Sequence, residues 1–316
     1  PSHALGVAYS RDYKRMSHGS SVACGLNALN EPYCWGQGLN GALGDGLSTD
    51  SNVPSAVSTT DPYLHITSGE TFGCGITMAG DAYCWGSDTD GAQGNDTGGH
   101  QTTPGIVARG YTYKDLDAGQ EYSTSEYGKT VCGIRSNNKL VCWGSDTDGG
   151  IGNSHDVYSD KQEPSHVRSL PAALEFVHIS VGGVTTCGVT GDRDISCWGK
   201  GNLGGRGDGD STKRMGIPSS IVFGGHKWLN VSVGRRHACG ITVDNDMYCW
   251  GGGDEGALGN GSTSNQSVPV AVSGSLKFRS VDAGYHATCG ITTTNDLYCW
   301  GRNDSGELGD GNGGAS

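Results

Sequence analysis

Six copies of one motif, twelve cysteines at a constant pair spacing and an excess of glycine together predict an all-β chain, a six-bladed β-propeller of four-stranded blades. The motif is Cys-Gly-(Ile/Leu/Val), seven residues, then Cys-Trp-Gly. It pairs Cys24 with Cys34, Cys74 with Cys84, Cys132 with Cys142, Cys187 with Cys197, Cys239 with Cys249 and Cys289 with Cys299, which are all twelve cysteines. Six of the seven tryptophans follow the second cysteine, within Cys-Trp-Gly at 34–36, 84–86, 142–144, 197–199, 249–251 and 299–301. Glycine supplies 56 of 316 residues, about 18% against an average near 7%. Glycine is costly inside helices, which argues against a helical bundle. It follows no triplet period, which excludes collagen.

Each blade reads as four short strands. The first opens on an aromatic residue six positions before a glycine: Tyr13/Gly19, Tyr63/Gly69, Tyr113/Gly119, Phe176/Gly182, Trp228/Gly234 and Phe278/Gly284. The second and third flank a tight turn. If Cys74 faces Cys84, antiparallel pairing sets Gly75 opposite Tyr83 and Ile76 opposite Ala82, and both faces of the hairpin are apolar. A blade sandwiched between neighbours requires that. Six residues after each motif tryptophan comes Gly-x-x-Gly, and a proline 10 to 12 residues later (Pro54, Pro104, Pro164, Pro218, Pro269) starts the fourth strand. First cysteines recur at intervals of 50, 58, 55, 52 and 50 residues, a period that matches one propeller blade. Residues 1–316 read as a single propeller domain. Pro1-Ser2-His3-Ala4-Leu5 reads like the Pro-led strand, so residues 1–5 are expected to be the fourth strand of the last blade and to close the ring. The chain opens at Pro1 without a leader, as a processed or trimmed form would.

Gly234-Arg235-Arg236-His237, Trp250-Gly251 and Gly256-Ala257-Leu258-Gly259 resemble the repeats of the regulator of chromosome condensation family. The match covers essentially the whole chain. The resemblance implies a propeller whose loops and rim bind other macromolecules. That family includes a nuclear nucleotide-exchange factor, secreted bacterial β-lactamase inhibitors and ectodomains of crinkly-type plant receptor kinases. A cysteine pair in every blade makes this chain more similar to the extracellular branch. It shows six blades where seven are usual.

Spacing between blades varies by eight residues, while spacing within each cysteine pair stays at 10, so the two sulfurs are expected to meet across the hairpin. Opposed strand residues lie about 4.5–5.5 Å apart, inside the disulfide range. Twelve reduced core cysteines are the alternative; zinc is disfavoured because no Cys-x-x-Cys occurs. Six bridges imply an oxidising compartment. Five sequons fit a secreted or cell-surface location and make covalent glycans an expectation: Asn95, Asn230, Asn260, Asn265 and Asn303. Four lie in predicted loops and Asn230 in a first strand. A chain rich in Asn, Ser and Thr also produces sequons by chance.

Net charge is −12, which disfavours nucleic acid, and no run of about 20 apolar residues offers a helical membrane span. Several motifs read better as turns. Arg206-Gly207-Asp208 spells an integrin-binding tripeptide but keeps the phase of Leu43-Gly44-Asp45. Asp88-Thr89-Asp90-Gly91 and Asp146-Thr147-Asp148-Gly149 open like calcium loops without the later ligands. Gly128-Lys129-Thr130 ends like a phosphate loop whose first glycine is replaced by Ser123. His237 and His286 read as structural. With no catalytic constellation and no cofactor or metal expected, the chain reads as non-enzymatic.

One break in the repeat carries information. Blade three has 13 positions from Gly119 to Cys132 where the others have five. The insertion within Gln120–Val131 holds Glu121, Tyr122, Glu126 and Tyr127, candidate partner-binding residues, since repeat insertions map to loops and Tyr is enriched at hot spots. The linker after Gly152 (His155, Tyr158, Lys161) is a weaker candidate. The sequence therefore predicts an extracellular structural or adhesive propeller, a subunit of a glycosylated surface fibre that self-associates. The alternative is a secreted or receptor-ectodomain binding module that engages a protein partner through its loops.

Overall fold

The computed structural model describes residues 13–119, 129–146, 149–153, 160–168, 174–183, 185–212, 214–304, 306 and 308–310. Among these residues, twenty-three strands form six antiparallel sheets. Blade one is β1 (Tyr13–His18), β2 (Val22–Asn27), β3 (Pro32–Gly36) and β4 (Ser51–Ala56). Blade two is β5 (Tyr63–Ser68), β6 (Phe72–Thr77), β7 (Ala82–Gly86) and β8 (Gln101–Ile106). Blade three is β9 (Tyr113–Ala118), β10 (Thr130–Arg135), β11 (Leu140–Gly144) and β12 (Lys161–His166). Blade four is β13 (Phe176–Val181), β14 (Thr185–Thr190), β15 (Ile195–Lys200) and β16 (Arg214–Ile221). Blade five is β17 (Trp228–Val233), β18 (His237–Thr242), β19 (Met247–Gly251) and β20 (Gln266–Ala271). Blade six has three strands among the described residues, β21 (Phe278–Ala283), β22 (Ala287–Thr292) and β23 (Leu297–Gly301). The expected closing strand, residues 1–5, lies outside the described residues.

The chain falls into two compact units, Ser2–Thr147 with Val157–Val167, and Asp148–Asp156 with Arg168–Ser316 and Pro1. The first unit holds blades one to three and the second holds blades four to six. The hairpin register is the expected one: Cys74 faces Cys84, Gly75 faces Tyr83 and Ile76 faces Ala82, and every blade repeats it. The expected sulfur pairs are all formed. In the first unit Cys24 is bridged to Cys34, Cys74 to Cys84 and Cys132 to Cys142. In the second, Cys187 is bridged to Cys197, Cys239 to Cys249 and Cys289 to Cys299. Their Cα atoms lie 4.0–4.1 Å apart, and no cysteine is free, so the alternative of reduced core thiols does not hold. The glycine after the first cysteine has a packing reason. The aromatic ring that opens the first strand lies flat on it, and a Cβ on Gly75 would sit 2.5 Å from Tyr63 Cδ1.

Within each unit the face of one blade that carries the disulfide is covered by aromatics of the next. Tyr63 and Trp85 pack on Cys24, Leu26 and Cys34, and Trp228 and Trp250 on Cys187, Val189 and Ile195. The tryptophan also makes a directed contact. Its Nε1–H donates to a carbonyl inside the preceding Gly-x-x-Gly: Trp85 to Ala42 (3.2 Å), Trp143 to Ala92 (2.9 Å), Trp250 to Gly205 (3.0 Å) and Trp300 to Ala257 (3.0 Å). Trp198 donates to Gly150 (2.8 Å) in the same unit. The second glycine of the motif lies against the indole with positive φ; a Cβ on Gly259 (φ +62°) would meet Trp300 Nε1 at 2.7 Å.

The joint between blades five and six adds a histidine. Ala257 O also accepts from Thr288 Oγ1 (2.9 Å), whose oxygen lies 2.8 Å from His237 Nε2. With the hydroxyl hydrogen committed to Ala257, the ring donates from Nε2. Burial, reinforced by nearby His286, pulls the His237 pKa down to about 4.

Two outcomes follow from these joints. Gly259→Ala and Gly261→Ala share the positive-φ penalty, roughly 1 kcal/mol. At Gly261 (φ +79°) the new methyl meets nothing closer than Ser273 Oγ at 4.0 Å. Urea unfolding of the oxidised protein should therefore show about 1 kcal/mol lost at Gly261 and about 2–4 kcal/mol at Gly259. Equal losses would remove the indole from the explanation. For His237 the unfolded state binds more protons between its ordinary pKa of 6.5 and about 4, so stability falls as pH falls through that window. The loss should reach about 3 kcal/mol. His237→Gln should flatten that slope, and an unchanged slope would assign it to other groups.

Candidate functional site

The turns between third and fourth strands hold most of the residues the sequence singles out, and the structure gives most of them turn work. Arg206 is 1% exposed and takes the core position that Leu43 and Leu258 fill in other blades. Its Nε donates to Asp208 Oδ2 at 2.9 Å, so the two charges of Arg206-Gly207-Asp208 meet each other and the arginine does not reach solvent. Asp88 is similarly occupied: Oδ1 accepts from Gln93 N (3.0 Å) and Oδ2 from Gly99 N (3.1 Å). Asp146 is buried, and its backbone N–H donates to Asp160 Oδ1 at 2.9 Å. Among the described residues no group of three or more His, Cys, Asp and Glu is placed to hold a metal ion.

The five sequon asparagines separate into two kinds. Asn95, Asn260 and Asn265 lie on surface turns. Asn230 lies in β17 opposite Ile241, with its side-chain oxygen buried and unpartnered. Asn303 is 0% exposed; its Nδ2 donates to Asp310 Oδ1 (3.1 Å) and its Oδ1 accepts from Leu308 N (3.1 Å). Asn303 is an internal turn clamp, in the position Asp88 holds in blade two. The partner-binding candidates Glu121, Tyr122, Glu126 and Tyr127 fall outside the described residues, as do His155 and Tyr158.

Two features were not picked out as sites from sequence. The first is at the foot of the blade-three insertion. Lys129 Nζ donates to Ser87 Oγ at 2.8 Å, with Glu70, Asp88 and Asp90 close by. Burial lowers the Lys129 pKa against the pull of those carboxylates, and burial raises those of Glu70 and Asp90. Nothing in the repeat pattern marks this cluster, because its members come from two blades. The second is the disulfide face of blade six, which carries the Cys289 to Cys299 bridge. Leu297 is 67% exposed where Met247, its counterpart in blade five, is 3% exposed. The three-stranded sheet leaves β23 as its edge among the described residues. No nucleophile, base and orienting group converge in either place, and the face suits association more than chemistry.

Comparison with known proteins agrees with this geometry. Models of the regulator of chromosome condensation (RCC1) repeat match residues 244–291, and 228–257 with 278–307. The mouse E3 ubiquitin-protein ligase HERC2 is 30% identical over 148 residues, 46% of this chain but only 3% of that protein's length. Human WBSCR16 superposes with a TM-score of 0.84 at 16% identity, covering 97% of this chain and 80% of the other. Yeast Prp20p, whose structure was described with its binding to Gsp1p and histones, gives 0.77 at 18% identity over 94% of this chain and 73% of the other. No helix among the described residues is long and apolar enough to cross a membrane. Residues 228–307 match repeats of the regulator of chromosome condensation type, and the disulfide-bearing four-stranded blades of the chain have the β-propeller fold.

Proposed function

We propose that the protein is a non-enzymatic, extracellular structural or adhesive propeller that binds protein, including further copies of itself. The observation that carries the reading is the pairing of all twelve cysteines inside their own hairpins. Bridges of this number persist in oxidising compartments. Leu297, exposed on the disulfide face of blade six among the described residues, supports self-association. In blade five the equivalent face, around Cys239 and Cys249, is filled by the aromatic strand of the following blade, with Phe278 against Ile241 and Met247. Among the described residues β23 is an edge strand, and an edge strand beside an apolar face takes an added strand readily. A neighbouring copy that fills it would make a head-to-tail contact, the geometry of an open fibre. The binding of Gsp1p and histones by Prp20p supports protein partners as the general mode.

Native material denatured without reductant should show no thiol reactive to an alkylating reagent; twelve reactive thiols would overturn the extracellular reading. Electron microscopy of the same material should show filaments with a propeller-sized repeat. Leu297→Glu should disperse them, while Met78→Glu, at a similarly exposed turn in blade two, should leave them intact. Discrete particles in unmutated material would overturn the fibre reading and move the search to a partner for residues 120–128.

A further inference from the structure

The sequons differ in what their side chains already do. Asn95 and Asn260 each follow the second glycine of a Gly-x-x-Gly, the place Asp45 and Asp208 occupy in other blades. All four use one side-chain oxygen to accept the backbone N–H two residues on: Leu47 to Asp45 (3.0 Å), Thr97 to Asn95 (3.1 Å), Asp210 to Asp208 (3.1 Å) and Ser262 to Asn260 (3.0 Å). The turn needs only Oδ1, which is why Asp serves as well as Asn. It places no demand on Nδ2, the atom a glycan modifies. Asn265 behaves alike, its Oδ1 accepting from Gly253 N at 3.0 Å while the residue is exposed. Asn95 Nδ2 donates one hydrogen to Gln93 Oε1 (3.1 Å), and a glycosylated nitrogen keeps one hydrogen for that bond.

Asn303 is closed to the same chemistry. A sugar on Asn303 Nδ2 would have to fit at a fully buried side chain beside Asp310.

We infer that the folded protein carries N-linked glycans at Asn95, Asn260 and Asn265, and none at Asn303. The inference rests on the extracellular reading above. The donor class is a lipid-pyrophosphate-linked oligosaccharide. Nδ2 bonds to the anomeric carbon as the carbon–oxygen bond to pyrophosphate breaks. The lipid pyrophosphate leaves with that electron pair, one Nδ2 proton is lost, and nothing is oxidised or reduced. All three sugars then sit on the segment that joins the third and fourth strands of their blades.

The full chain behind a secretory signal, translated into microsomes, tests this. Protease-resistant, fully bridged protein is recovered and its sugars are mapped by mass spectrometry after enzymatic release in heavy-oxygen water. Sugars at Asn95, Asn260 and Asn265, with a bare Asn303, are expected. Asn303→Gln should leave the electrophoretic mobility unchanged, and Asn260→Gln should remove one glycan step. A sugar on Asn303 in the folded fraction, or a bare side chain at Asn95, Asn260 or Asn265, overturns the inference. Because the signal is supplied, this result stands apart from the thiol measurement on native material, which alone decides the extracellular reading.

Discussion

An indole N–H reaching back to a carbonyl of the preceding blade is the contact on which the repeat is organised. It fixes more of the sequence than one hydrogen bond would suggest. The acceptor must sit in a turn tight enough to bring its carbonyl over the neighbour, which calls for a glycine at either end. The second glycine must also leave room for the ring, as the 2.7 Å approach of a Cβ on Gly259 to Trp300 shows. A bond of this kind is worth about 1 kcal/mol net, but a buried indole contributes several more through the area it removes from water. The hydrogen bond selects the ring's orientation and the burial supplies most of the stability. Where a threonine precedes the first cysteine, as at Thr186 and Thr288, its hydroxyl shares the same carbonyl, of Gly150 and Ala257 respectively.

The disulfides do different work. Each closes a loop of 10 residues between adjacent strands, so each restrains a hairpin and none ties one blade to another. By the chain-entropy argument each contributes about 2–3 kcal/mol, an upper value. That division explains why intervals between blades vary from 50 to 58 residues while spacing within each pair does not. Turns and insertions between blades are free to change so long as the indole still finds its carbonyl.

The hairpins were legible from sequence because everything that determines them is local. Facing cysteines set the register, alternation assigns the faces, and Gly75 opposite Tyr83 follows. The acceptor of Trp85 was not legible. It lies 43 residues upstream and is a backbone carbonyl, which no residue type announces. Burial of Arg206 was half visible, since its phase matched Leu43, yet only the neighbouring Asp208 makes an arginine tolerable there. The sequons show the same limit from the other side. Asn260 and Asn303 satisfy one motif equally well, and their phases relative to Gly-x-x-Gly differ. That phase becomes informative only once it is known that the position three residues after the tryptophan points inward, as Asn303 and Asp146 do.

Acidity and turn chemistry have a common origin in this fold. Asp45, Asp88 and Asp208 spend their oxygens on backbone N–H groups of the blade turns. Asn can replace Asp where the turn needs a single acceptor, as at Asn95 and Asn260. Part of the negative balance is therefore a consequence of ending strands in tight turns, and so are the calcium-like and integrin-like strings. Function has to be sought where a residue breaks the repeat without serving it. Leu297 keeps the repeat's phase but departs from it in burial, exposed where its blade-five counterpart Met247 is buried. Lys129 is another departure, a partly buried cation among carboxylates drawn from the neighbouring blade. The glycan acceptors are a third, since Asp would satisfy their turns equally and only Asn leaves a nitrogen to modify.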